Sequence, residues 1–178
     1  MTVEIVTEST PELVEAMGRL IPQLSRSAPA LTAEQCEALV AQPGVHLFVF
    51  RPERGAEGGP GEILGMLTLA TFTIPTGLRA WVEDVVVDAG ARGQGAGLAL
   101  VEAAVAHAQE LGARTVDLTS RPSREAANRL YTELSARCSL SLWPATWSGC
   151  DMREAFGAQS LEYRRFAGDR ARDGASDL

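Results

Sequence analysis

The stretch VVVDAGARGQGAGLALVEAA, Val85 to Ala104, decides how the rest of the chain is read. It joins a β-branched run to an apolar-periodic run, with glycine at 93, 95 and 97 between them. Glycine at a helix entry weakens the helix. One glycine would serve a tight turn, so three alternating ones behind Arg92 point to backbone that something outside the chain approaches. Glycine permits the positive φ angles of an anion nest, in which successive N–H groups face one spot. The dipole of the following helix adds partial positive charge there, and a guanidinium suits a pair of phosphate oxygens. The segment therefore reads as a phosphate or pyrophosphate site.

Two phosphate motifs do not fit it. A Walker loop ends in Gly-Lys-Ser/Thr, and here Gly97 is followed by Leu98 and Ala99. A nucleotide-triphosphate enzyme is therefore a weak reading. A dinucleotide fingerprint needs GxGxxG after the first strand of a parallel unit, and Leu98 stands where its third glycine belongs.

Working outward, LRAWVEDVVVD (Leu78–Asp88) predicts the longest strand. Leu98, Val101, Val105, Ala108 and Leu111 follow helical spacing up to Gly112. ARTVDLTS is a strand and SREAANRLYTEL a helix, with Ser123 as its candidate N-cap. Upstream, VEIVT is a strand. Thr10-Pro11-Glu12 opens a helix with an apolar face of Leu13, Met17, Leu20, Ile21 and Leu24. Thr32 and Gln35 form a capping-box pattern for a second helix that Pro43-Gly44 stops. VHLFVF and ILGMLTLATF are strands joined by a loop rich in glycine and proline. The order β α α β β β α β α implies an antiparallel run followed by one parallel, right-handed crossover.

The chain has 178 residues, enough for one compact domain. Its net charge of −7 argues against a general nucleic-acid binder. The N-terminus lacks a secretory pattern and no apolar run has membrane-spanning length, so no membrane association is expected. Cys36, Cys138 and Cys150 have unrelated spacings, and His46 and His107 are far apart in sequence. Neither a zinc site nor a disulfide framework is expected, and a reducing cytoplasm is the expected compartment.

RGQGAG, Arg92 to Gly97, resembles the R/Q-x-x-G-x-G/A loop of the GNAT superfamily of acetyl-CoA-dependent N-acetyltransferases. VEDVVV before it, and the helix, TVDLTS and SREAANRLY after it, fall in the family order, so the resemblance covers roughly residues 3–134. It implies an α/β GNAT fold: a mixed, mostly antiparallel sheet with one parallel β-α-β crossover and helices on both faces. It also implies that Arg92, Gly93, Gln94, Gly95, Ala96 and Gly97 hold the pyrophosphate of acetyl-CoA, the co-substrate. The backbone of Val85, Val86 and Val87 would hold the pantetheine arm. Asn128, one helical turn before Tyr131, would bond the pantetheine or phosphate region.

The same resemblance assigns the chemistry. Glu83 would take the ammonium proton of the acceptor, with Asp84 in reserve, and Tyr131 would protonate the leaving thiolate. A phenol and a thiol are close enough in acidity for that exchange. By strand alternation, Glu83 is expected to share a face with Val85 and Val87, and Asp84 with Val86. Plainer readings stand beside these: strand-end charges for the two carboxylates and a packed core tyrosine for Tyr131. The implied partner is a small amine or a protein amine, and dimers are common in the family. The rival reading is a non-catalytic acyl-CoA-binding or regulatory domain.

The resemblance ends after Leu134. No Gly-Phe and no clear pair of alternating strands follow, so the C-terminal strands are expected to be missing or altered. The chain is expected to divide into an acetyltransferase domain, 1–137, and an atypical segment, 138–178. Of that segment, at least 164–178 should be disordered.

Overall fold

The computed structural model describes residues 2–25, 27–52, 61–120, 124–137 and 140–144. Among them the order is β1 (Thr2–Ile5), α1 (Pro11–Leu24), α2 (Ala33–Val40), β2 (Val45–Arg51), β3 (Gly65–Ile74) and β4 (Gly77–Val87). Then come α3 (Ala96–Glu110), β5 (Thr115–Ser120), α4 (Glu125–Arg137) and β6 (Leu140–Pro144). The strands form one sheet in the order β1-β2-β3-β4-β5-β6. The first four pair antiparallel; β4–β5 and β5–β6 are parallel. No helix among the described residues is long and apolar enough to cross a membrane.

The helix starts follow their capping residues. Leu13 N donates to Thr10 Oγ1 at 3.2 Å, with Pro11 opening α1. At α2, Gln35 N donates to Thr32 Oγ1 while Thr32 N donates to Gln35 Oε1, which satisfies two otherwise orphaned amides. The candidate cap Ser123 lies outside the described residues.

VHLFVF is apolar at consecutive positions because β2 is covered on both sides. Leu47 and Val49 pack with Leu13, Met17 and Leu20 of α1 and with Cys36 of α2. Phe48 and Phe50 pack with Leu100, Val101 and Val105 of α3. Each fully buried side chain of this size contributes about 1.5–3 kcal/mol. Leu111, which continues the helical spacing of α3, is instead its exposed C-cap.

Two irregularities of β4 shape the sheet around its C-terminal half. In the β3–β4 ladder Thr68 pairs with Glu83 and Met66 with Val86, so two steps on β3 face three on β4. The extra residue is a β-bulge, and Asp84 within it has φ 52°, a left-handed conformation that Asp tolerates better than most residues. The bulge overturns the simple alternation expected for VEDVVV. Val82 packs on the α3 side, yet beyond the bulge Val85 and Val87 pack there and Val86 turns to the α1 side.

The second irregularity is a split. β4 pairs with β5 only from Arg79–Thr115 to Val82–Leu118. β4 then runs on to Val87, while β5 follows β6 up to Ser120–Pro144. Below the split, Arg79 and the buried Asp117 form an ion pair that ties the two strands, and Thr115 Oγ1 donates to Asp117 Oδ2 at 3.2 Å.

One strand, β6, follows α4, where the sequence had suggested no clear strand pair. Residues 145–178, with the expected disordered end, lie outside the described residues.

Candidate functional site

The split between β4 and β5 opens into a cavity of about 380 Å³. β4 contributes Glu83, Asp84 and Val85, and β5 contributes Leu118, Thr119 and Ser120. Leu24 and Ser25 close it from the end of α1, Arg124 from just before α4 and Tyr131 from the middle of α4. All three expected catalytic side chains, Glu83, Asp84 and Tyr131, therefore border one cavity. The bulge accounts for the first two, because an extra residue re-aims side chains that regular alternation would send to opposite faces.

The Glu83 residue is open to solvent at this cavity, yet its carboxylate is partly desolvated. That desolvation, with the neighbouring Asp84 charge, raises its pKa above the ordinary glutamate value. The Trp81 indole N–H pulls the other way, although it makes no hydrogen bond within normal geometry among the described residues. Tyr131 is 4% exposed, and burial raises its pKa, partly offset by the Arg124 charge. The phenol thus stays protonated through the neutral range. Asn128 is half-buried one turn earlier on α4; its N–H bonds the Arg124 carbonyl, and its carbonyl accepts from Thr132 Oγ1.

The glycine loop lies just past the end of β4. Gly93 has φ 78° and Gly95 has φ 82°, and a Cβ at either would meet nothing within 4 Å. Both need the left-handed region, and both face open space that a ligand can enter. Gly95 is the N-cap of α3 and offers no capping side chain, so the first amides of α3 are left for an outside acceptor. Gly97, read from sequence as loop, is already helical. The buried Ala96 methyl anchors the first turn beneath the loop. Arg92 is exposed, and its Nε lies 3.4 Å from the Val87 carbonyl, so its charge sits where β4 meets the loop.

Sequence reasoning missed the loop's own support. Asp88 Oδ1 accepts from Gly90 N at 2.8 Å, and Asp88 Oδ2 accepts from Gln23 Nε2 of α1 at 2.7 Å. These bonds, the Gln23 one first, lower the Asp88 pKa. Gln94 Nε2 donates back to the Gly90 carbonyl at 3.1 Å. An Asp followed two residues later by glycine is a turn signal that could have flagged Asp88. Ser25 and Ser120 of the cavity wall were also missed, having no sequence pattern of their own. Among the described residues, no group of three or more His, Cys, Asp or Glu side chains is placed to hold a metal ion.

Residues 13–135 match the family model described as "Acetyltransferase (GNAT) family". No curated protein matches the chain. Among solved structures, it is similar to an aminoglycoside acetyltransferase from an uncultured soil metagenomic sample, at 18% identity and TM-score 0.66, over 84% of this chain and 96% of that one. It is also similar to a ribosomal-protein-alanine N-acetyltransferase of Brucella melitensis biovar Abortus 2308, at 17% identity and TM-score 0.60, over 86% and 99% of the two chains. A third similar structure is an acetyltransferase of Trypanosoma brucei, at 21% identity and TM-score 0.60, over 85% and 97%. At such identities the likeness is one of fold.

Proposed function

The chain belongs to the GNAT family of acetyltransferases, and from that premise we propose that it moves an acetyl group from acetyl-CoA to a primary amine by direct attack in a ternary complex. The observation that carries this reading is that Glu83 and Tyr131, from different elements, border one cavity in the β4–β5 split. The open loop at Gly93 and Gly95 fits a pyrophosphate: both Cβ positions face open space, and the α3 amides lack a cap.

Acetyl-CoA, when bound, supplies the activated thioester. Loop residues 92–97 would hold its pyrophosphate, and Asn128 with the backbone of Val85–Val87 would hold its arm, since no β5 residue pairs with that part of β4. Glu83 takes the proton of the attacking ammonium; desolvation and then the Asp84 charge raise its pKa above the ordinary glutamate value, which strengthens it as a base. Tyr131, held protonated by burial, gives its proton to the departing sulfur. Two carboxylates at the cavity, Glu83 and Asp84, favour a cationic acceptor, whether a small amine or an amine on a protein.

The test is thiol release from acetyl-CoA against a panel of amines. Amine-dependent release supports the reading. Tight coenzyme A binding with no release for any amine favours the rival, a non-catalytic acyl-CoA-binding domain.

A further inference from the structure

Ser120 ends β5 and borders the cavity, and it is 7% exposed. Its Oγ is shielded from water and makes no hydrogen bond among the described residues. A buried hydroxyl without a partner is destabilising, and natural folds rarely leave one without a reason. The other described side chains of its face account for themselves: Val116 and Leu118, four and two residues upstream, are core residues packed with α3 and Tyr131. Ser120 is the one polar side chain on that face of β5, placed where β4 no longer covers the strand.

We propose that Ser120 is a binding residue for the pantetheine arm of the co-substrate. The inference rests on the reading of the split as the arm's channel. Ser120 borders the cavity while its Oγ is shielded, and its single side-chain torsion, with three staggered wells, is the one movement the proposed contact requires. The arm carries amides, whose N–H and C=O groups match a hydroxyl able to donate and accept. Alternation along β5 puts Ser120 on the side of Tyr131, and Thr119 on the opposite side. The residue therefore serves the sulfur-bearing partner rather than the amine. It holds the arm in register; it does not exchange a proton with the reacting atoms.

Ser120→Ala separates this role from a structural one. Calorimetric titration with coenzyme A should show affinity lowered about three- to tenfold, the share of one buried hydrogen bond. The nucleotide half of coenzyme A, which keeps the pyrophosphate and lacks the arm, should bind the variant and the wild type equally. The free variant should melt no lower than the wild type, because the lost hydroxyl had no partner. Unchanged coenzyme A affinity, equal weakening of both probes, or a lower melting temperature overturns the proposal. Wild-type protein that binds neither probe overturns the reading of the channel itself, which is a different failure visible in the first titration.

Discussion

Gln23 Nε2 donates to Asp88 Oδ2 at 2.7 Å and so joins the last turn of α1 to the entry of the glycine loop, across 65 residues of chain. The helix that closes the cavity thereby also steadies the loop. Asp88→Ala removes this bond together with the one from Gly90 N. Affinity for coenzyme A should fall about three- to tenfold, and Gln23→Ala should reproduce part of that loss. Isothermal titration of both variants checks it.

Gly95 holds φ 82° at the N-cap of α3. Gly95→Ala forces an L-residue into the left-handed region at a cost of about 1 kcal/mol. It also places a methyl in the open space before the helix amides. Coenzyme A affinity should drop at least about tenfold while the protein remains folded, read by titration and a thermal melt side by side.

The two proton carriers should separate by pH. In the proposed reaction Glu83 acts as its anion, so kcat/KM should fall as pH drops through its pKa, which desolvation raises above the ordinary glutamate value. Glu83→Gln should remove that acid limb along with most of the rate. Tyr131→Phe should lower kcat roughly a hundredfold and leave coenzyme A affinity near wild type. A pH–rate series on the three proteins decides it; an acid limb that survives Glu83→Gln would move the base to another residue.

His46 and His107 share a hydrogen bond of 3.1 Å between Nδ1 and Nε2, linking β2 to α3. Burial, and then the His107 charge, lower the His46 pKa. The unfolded chain therefore binds a proton at His46 more readily than the folded one. The neutral pair contributes its full stability above the unfolded value near 6.5, and that contribution declines as pH falls below it. Melting temperature should drop from about pH 7.5 to about pH 5, and His46→Gln should flatten the slope.

Asp117 is 1% exposed and pairs with Arg79. Asp117→Ala leaves a partly buried guanidinium without its carboxylate and should destabilise by about 3 kcal/mol in urea unfolding. Replacing the exposed Glu125 gives the surface control.

Much of this fold is legible in the sequence because its signals are local. Thr10-Pro11, the Thr32/Gln35 box and the β-branched run before Asp88 each state an element boundary within a few residues. The loop reads equally well, since the need of Gly93 and Gly95 for positive φ is a property of those residues alone. The bulge does not read, because VEDVVV contains no glycine or proline to mark it; it exists only in register with Met66 and Thr68. β6 was missed although LSLW alternates, because it is short and comes after a helix whose family pattern breaks off. Gln23–Asp88 and the Ser120 hydroxyl, unpaired among the described residues, depend on how distant segments meet, which no window of sequence contains.

The one-residue surplus in β4 has a further consequence. Upstream of Asp84 the even-numbered positions Ala80 and Val82 pack on the α3 side, and downstream the odd-numbered Val85 and Val87 do. A single strand thus changes allegiance halfway along its length. Substitutions at Glu83 or Trp81 can retune what arrives from one side of the sheet, while the valines a few residues later go on serving the other. In the proposed reaction, the contacts to acceptor and to donor would be neighbours in the chain and yet free to drift apart. Deleting Asp84 would leave the flanking valines on their present sides and remove only the surplus residue with its left-handed backbone.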